Sequence, residues 1–390
     1  MSSTLRAKLN AMKRESPAPP ARKHEGGLVR YVERMPAPEA LYALSGEALR
    51  RIGWNGRAFD VERCLFLDTE TTGLSGGAGT VAFLVGVGFI EKGVMTVEQL
   101  FMRDYSDEPE LLAALAARMA DFECAVTFNG KTFDLPLLRT RFTLSRMEAP
   151  PALFDLDLIH PARRAWKLRI ESCRLSNIED KILGLPRKND LPGAEVPERY
   201  FAFLKTGDMG LIEDVIRHNR QDIATLAHLL AELDRVYARP EAQTHAQDLF
   251  SLGKALEKQG ESARARELYR LSAVPRRSGT LSGLHAEAVA GDANRRLARL
   301  CLRAGDTDAA ISTLEQMVAR GQMGAWPHIE LAKIYEHRKK DIRQALRHAR
   351  RALAACSAPE ACACGAQEIR RREARLIAKM KRQGNDQKWE

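Results

Sequence analysis

Residues 64–74 read CLFLDTETTGL, an apolar run that ends on Asp68 and Glu70 and then enters a Thr-Thr-Gly turn. Side chains alternate across a β-strand, so an Asp-x-Glu pair sends both carboxylates to one face. A divalent cation relieves their repulsion there. Two solvated charges entering a turn are the ordinary alternative. The apolar strand before the pair and the tight turn after it favour a site.

Outward from this stretch, VERCLFLD (61–68), TVAFLVGVGFI (80–90) and VMTVEQLFM (94–102) form β-rich runs around a turn at Gly93, which predicts a three-strand meander. A helical pattern at 109–122, a strand at 123–128, a helix after NGKTF and further helices from Leu175 to Tyr237 follow. Strands interleaved with helices predict an α/β sandwich. In FNGKTFDLPLL, Asn129 and Gly130 follow a strand and Asp134 opens a helix. Asp134 is either a functional carboxylate or a charge favoured by the helix dipole. In VIRHNRQDIATLAHLL, His218 and Asp222 stand four apart and share a helix face. That face flanks the apolar stripe of Ile212, Ile216, Ile223, Leu226 and Leu230.

In this order, DTETTGL (68–74), NGKTFD (129–134) and HNRQD (218–222) resemble the three motifs of the DEDD (DnaQ-like, ribonuclease H-like) 3′-5′ exonuclease superfamily. The resemblance covers residues 61 to 235. DLIHPAR (157–163) resembles the segment between the second and third motifs, with Asp157 structural. More narrowly, ESCRLSNIEDKILGL (171–185), PGAEVPERYFAFLKTGD (192–208) and the helical C-terminal part look like the YprB/MrfB-like exonucleases. The resemblance implies two divalent cations, Mg²⁺ or Mn²⁺, clamping the attacking and leaving oxygens of an in-line displacement. Asp68 would bridge both ions, Glu70 and Asp222 would complete one site, and Asp134 would hold the other. His218 would be the general base, a task suited to imidazole, and the product a nucleoside 5′-monophosphate. Thr69, Thr71, Leu74 and Asn129 lie where the family holds the terminal nucleotide. One departure concerns His218, which precedes Asp222 by four residues, the spacing of the tyrosine-type branch, where the histidine type uses five.

Residues 1–60 mix Pro, Ala and basic residues with little periodicity, which predicts a basic N-terminal extension and a loosely packed lead-in. Residues 61–237 form the expected ribonuclease H-like domain. Strand signals stop near 238–243, and residues 244–385 read as an all-α tetratricopeptide-like repeat domain. There 252–269, 297–314 and 331–349 share a helix, a polar turn, a small residue and a second helix. Ala263, Ala309/Ala310 and Ala345 mark the repeat, and 275–285 supplies an insertion. An irregular helical bundle is the alternative. Such arrays dock protein partners; the narrower resemblance points to a repair helicase.

The chain carries 61 Lys+Arg against 51 Asp+Glu, a net charge of +10. That excess favours a polyanionic partner, here nucleic acid; the resemblance implies DNA bearing a free 3′ end as the first choice. An RNA-processing exoribonuclease and a non-catalytic scaffold that binds nucleic-acid ends are the other readings. Four convergent carboxylates oppose the scaffold, because without metal they repel phosphate. RRAWKLRIESCR (163–174) is either a strand-binding groove in which Trp166 stacks on a base or a basic helix face with Trp166 in the core. Seven cysteines and no signal-like segment point to free thiols in the cytoplasm. The longest apolar run is too short to span a membrane. LSGGAGT (74–80) lacks the ending of a phosphate loop, and Cys356, Cys362 and Cys364 lack the paired spacing of a zinc site.

Overall fold

Six strands form one mixed sheet: β1 (Val29–Pro36), β2 (Cys64–Thr71), β3 (Ala82–Glu91), β4 (Val94–Phe101), β5 (Cys124–Thr127) and β6 (Phe154–Asp157), in the order β1-β4-β3-β2-β5-β6. The computed structural model describes residues 27–56, 58–73, 79–170, 172–187, 191–274, 283–356 and 363–386. The chain divides into two compact units. One takes the residues up to Ala43, Gly56–Leu158 and Arg187–Leu230; the other takes Leu44–Asn55, Ile159–Pro186 and Ala231 onward.

The first unit contains the sheet. Strands β2, β3 and β4 are the expected antiparallel meander. Lys92 and Gly93 turn the β3–β4 hairpin at φ 50° and 81°, the left-handed pair that a two-residue hairpin needs to match strand twist. Strands β5 and β6 continue parallel to β2. Helices Glu108–Met119 and Asp134–Leu144 carry the chain into β5 and β6. The expectation of a loose lead-in before residue 60 is corrected: Val29–Pro36 pairs with β4 along its whole length, from Val29↔Phe101 to Pro36↔Val94. The strand lies at the sheet edge with most of its side chains exposed, so it lacks the apolar alternation by which half-buried strands are recognised.

Strand β3 is buried almost throughout, as a strand covered on both faces must be. Leu65, Leu67, Val85, Val87, Leu111, Leu115, Leu138 and Phe142 pack into one core. Phe83, Leu84, Phe101, Tyr200, Phe203, Ile212 and Ile216 form another, in which the Phe83 and Tyr200 rings stack at 3.9 Å. Two strand glycines decide how closely the long helix Gly210–Ala238 approaches the sheet. A Cβ on Gly86 would overlap Asn219 Oδ1, and one on Gly88 would stand 2.5 Å from Ile223 Cγ2. Asn219 and Ile223 are one helical turn apart, so both contacts belong to one helix face.

The second unit is helical after Ala231. Helices Ala246–Lys258 and Ser262–Ala273, Gly283–Arg303 and Thr307–Ala319, and Trp326–His337 and Ile342–Ala355 come as three pairs, followed by Ala363–Asp386. Each pair turns on a left-handed residue, Gly260, Gly305 or Lys340, and five residues later a fully buried alanine enters the contact: Ala265, Ala310, Ala345. The marker Ala263 is therefore corrected to Ala265, because Ala263 is exposed. Residues 275–282 of the expected insertion lie outside the described residues. Trp166 is buried and Arg169 binds Asp248 at 2.9 Å, so Trp166 packs in the core and does not stack on a base. No described helix is long and apolar enough to cross a membrane.

A histidine pair lies between two of these helices. Nδ1 of buried His348 is 3.1 Å from His328 Nδ1, and its ring stacks on Tyr335 at 5.6 Å. Burial first, then the charges of His328, Arg347 and Arg351, pull His348 down to about 4 from an ordinary 6.5. The unfolded chain therefore binds the proton first. Stability from this site is complete above about pH 6.5 and is lost as pH falls towards 4. Melting curves of the full chain between pH 4.5 and 7 are expected to show this acid limb flattened in His348→Leu; parallel wild-type and variant profiles would refute it.

Candidate active site

The end of β2 carries Asp68 and Glu70 on one face of the strand, both part-buried between buried neighbours Leu67, Thr69 and Thr71. The Asp68 carboxyl is pushed well above the usual carboxylate range, by burial first and then by the negative charges of Asp222, Asp134 and Glu70. That pattern of repulsion reports that all three segments of the sequence motif bring a carboxylate to bear on the same group. Asn219 Nδ2 donates to Asp68 Oδ2 at 2.9 Å and partly offsets the repulsion. The Asn219 amide is itself oriented, because its Oδ1 accepts from Gln99 Nε2 at 2.9 Å while Gln99 Nε2 also donates to the Ile216 carbonyl. A buried amide with both ends engaged holds one rotamer.

Asp134 is the first residue of its helix and is buried. Burial raises its carboxyl to about 6, although the Thr69 hydroxyl donates to Oδ1 at 2.5 Å and opposes the shift. The helix-charge and functional readings of Asp134 are thus compatible: it stands at a helix N-terminus and it also faces Asp68 electrostatically. Its loop is held by Asp157, whose carboxylate accepts the Asn129 backbone N–H at 2.8 Å and that of Lys131 at 3.3 Å. Asn129 is left-handed at φ 71°, a conformation that Asn tolerates better than most residues, and its Oδ1 accepts from Thr132.

On the long helix, His218 Nε2 lies 3.6 Å from Asp222 Oδ2, as the four-residue spacing requires. Arg187 joins them: its guanidinium donates to Asp222 Oδ1 and stands 3.0 Å from His218 Nδ1. A guanidinium has no lone pair to offer, so Nδ1 accepts and the imidazole proton sits on Nε2, facing Asp222. Arg187 and Asp222 are both largely buried.

Among the substrate residues expected from sequence, Thr69 spends its hydroxyl on Asp134 and Thr71 donates to the Gly73 carbonyl at 2.7 Å. Asn129 shapes the loop before Asp134, and Leu74 lies outside the described residues. Sequence reasoning missed Arg187, Gln99 and Asn219. Asn219 lies inside the third motif, and its burial could be read from the helix face it shares with Ile212, Ile216 and Ile223. Arg187, in the connection after Leu183, carries no periodic signal.

The donor set fits a hard divalent cation, since it consists of carboxylate oxygens crowded beyond what Asn219 and Thr69 can neutralise. Among the described residues no three His, Cys, Asp or Glu side chains are gathered closely enough to grip an ion, and Arg187 occupies Asp222 Oδ1.

Residues 65–234 match the sequence model of the RNase_H_2 family, which is described as RNase_H superfamily. Over 311 residues the chain is 30% identical to a Bacillus subtilis (strain 168) protein named "Uncharacterized protein YprB", an alignment that covers 77% of this chain and 72% of that protein.

Proposed function

Because the chain belongs to the family of Bacillus subtilis YprB and carries an RNase H superfamily nuclease domain, we propose that it is a metal-dependent 3′-5′ exonuclease acting on DNA ends. The observation that supports this most is the charge of Glu70, Asp134 and Asp222 bearing on the part-buried Asp68 carboxyl. Two divalent cations, Mg²⁺ or Mn²⁺, would be held by Asp68, Glu70, Asp134 and Asp222; when bound they supply Lewis acidity to the attacking and leaving oxygens.

The protein's own groups do the rest. Gln99 and Asn219 fix the Asp68 rotamer, and Thr69 fixes that of Asp134. His218 takes the proton of the attacking water on Nδ1, the nitrogen that now accepts from Arg187. Arg187 therefore leaves His218 and Asp222 together when the site loads, and its charge is then available to the phosphate of the terminal nucleotide. Thr71, Leu74 and Asn129 are read from the family resemblance as the residues that contact that nucleotide. The helix pairs of the second unit are read as a tetratricopeptide-like array over residues 244–385 that docks a protein, with a repair helicase as the partner the resemblance implies. The cell compartment that suits this work is the cytoplasm.

DNA and RNA oligonucleotides labelled at either end, single- and double-stranded, are expected to lose mononucleotides from the 3′ end only when Mg²⁺ or Mn²⁺ is present. Release from 5′ ends, internal cutting alone, or preference for RNA would each overturn part of this assignment. His218→Ala is expected to lower turnover by about 10²–10⁴-fold with little change in substrate Kd. Arg187→Gln is expected to tighten Mn²⁺ binding, read by calorimetry without substrate; unchanged affinity would mean that Arg187 does not compete for Asp222.

A further inference from the structure

The positive charge of the chain is concentrated in one place. Residues 338–382 hold fourteen Lys and Arg against four Asp and Glu, so the remaining residues hold 47 of each sign. The whole net charge of +10 therefore sits on the last two helices, Ile342–Ala355 and Ala363–Asp386, and the turn before them.

Part of that charge is structural. Buried Glu336 accepts Arg372, Arg375 and Lys379 at 2.7–3.0 Å, and Arg350 binds Glu373. The rest is not. Arg343, Arg347 and Arg351, and on the last helix Arg370, Arg371 and Arg382, are exposed and form no ion pair with any described residue. The first three recur every four residues, so they line one face at intervals of about 6 Å. Like charges at this spacing destabilise a helix, and no acidic residue within Ile342–Ala355 offsets them. An arrangement that costs stability and receives no internal compensation calls for an external anion.

We propose that the exposed arginines of these two helices bind the phosphate backbone of a nucleic acid, independently of the carboxylate site. Three observations favour that partner. Ten of the fourteen cations are arginine, whose planar fork matches phosphate. The apolar faces of both helices are spent on each other and on helix Trp326–His337, through Ile342, Ala345, Leu346, Ala349 and Leu376, which leaves no apolar face to enter a lipid surface. The same chain carries a nuclease-superfamily domain, for which a second grip on the substrate is useful. On this last point the inference rests on the nucleic-acid reading above.

The test uses the full chain in EDTA, so that binding is measured without catalysis and a failed exonuclease assignment cannot mimic its result. Fluorescence anisotropy with a labelled DNA strand, single and duplex, is recorded across a salt series. Arg343→Ala/Arg347→Ala/Arg351→Ala is expected to weaken binding at least about tenfold near 0.1 M salt and to reduce the salt slope by about 2–3. Arg343→Lys/Arg347→Lys/Arg351→Lys is expected to recover most of the slope, and Arg370→Ala/Arg371→Ala/Arg382→Ala, checked for helix content by circular dichroism, to give a second loss. Lys92→Ala/Arg303→Ala removes two cations that are 88% and 73% exposed elsewhere and is expected to change little. An unchanged slope in both arginine triples, an equal loss per charge in the control, or equally tight binding to polyglutamate or to phosphatidylglycerol vesicles would overturn the proposal.

Discussion

Asp68→Asn is expected to abolish metal-dependent nucleotide release, by about 10³-fold or more, and at the same time to raise the melting temperature of the metal-free protein. The second effect follows from the crowding of charge. Asp68 is part-buried and repelled by three carboxylates, so its ionised form opposes folding when no cation is present. Asparagine keeps an acceptor for Asn219 Nδ2 and removes the charge. Each kcal/mol regained corresponds to roughly 2–4 °C in a domain of 150–250 residues. The sign with pH is fixed by the same shifts. Asp68 titrates well above the ordinary 3.8 and Asp134 at about 6, so the folded state holds these protons more tightly than the unfolded chain. The contribution of the pair is complete below about pH 3.8 and is lost as pH rises through 6 and beyond. In EDTA, scanning calorimetry from pH 5 to 8 should show wild type losing stability with pH more steeply than Asp68→Asn, and Mn²⁺ restoring the wild type alone. Wild-type turnover in the variant would remove Asp68 from the chemistry. A lower melting temperature in EDTA would show that the carboxylates do not repel one another as described.

Gly86→Ala has the other large effect, and it reaches the site through packing. The added methyl overlaps Asn219 Oδ1, which sits between Gln99 and Asp68. Overpacking of this kind costs about 1–3 kcal/mol. The helix that carries His218 and Asp222 must also move away from the sheet, so nucleotide release should fall by more than the lost stability explains. Ala82→Gly, at the first residue of β3, is a comparison for strand weakening without overlap. If Gly86→Ala melts as wild type and retains its turnover, helix Gly210–Ala238 does not depend on this close approach.

The legible parts of the molecule were those whose signal is local. The β2 run ending in Asp68, the Gly93 hairpin and the four-residue spacing of His218 and Asp222 follow from the periods of strand and helix, which neighbours in sequence reveal. The edge strand Val29–Pro36 was not legible, because it exposes most of its side chains and its identity rests on pairing with β4 about 65 residues away. The repeat's contact alanine, Ala265 and not Ala263, was not legible, because both suit a helix contact and only packing distinguishes the exposed one from the buried one.

By itself the sequence determined the strands and helices that carry the three motifs, their order, and which carboxylates could share a face, since these depend on backbone periodicity and the alternation of apolar side chains. Only the tertiary structure decided that Arg187 holds Asp222 and His218, that Gln99 and Asn219 orient Asp68, and that Gly86 leaves room for that amide. Asn219 and Asp68 are 151 residues apart. Contacts across such separations are selected by the packing of a helix onto a sheet, a property of volumes and directions that no local period encodes.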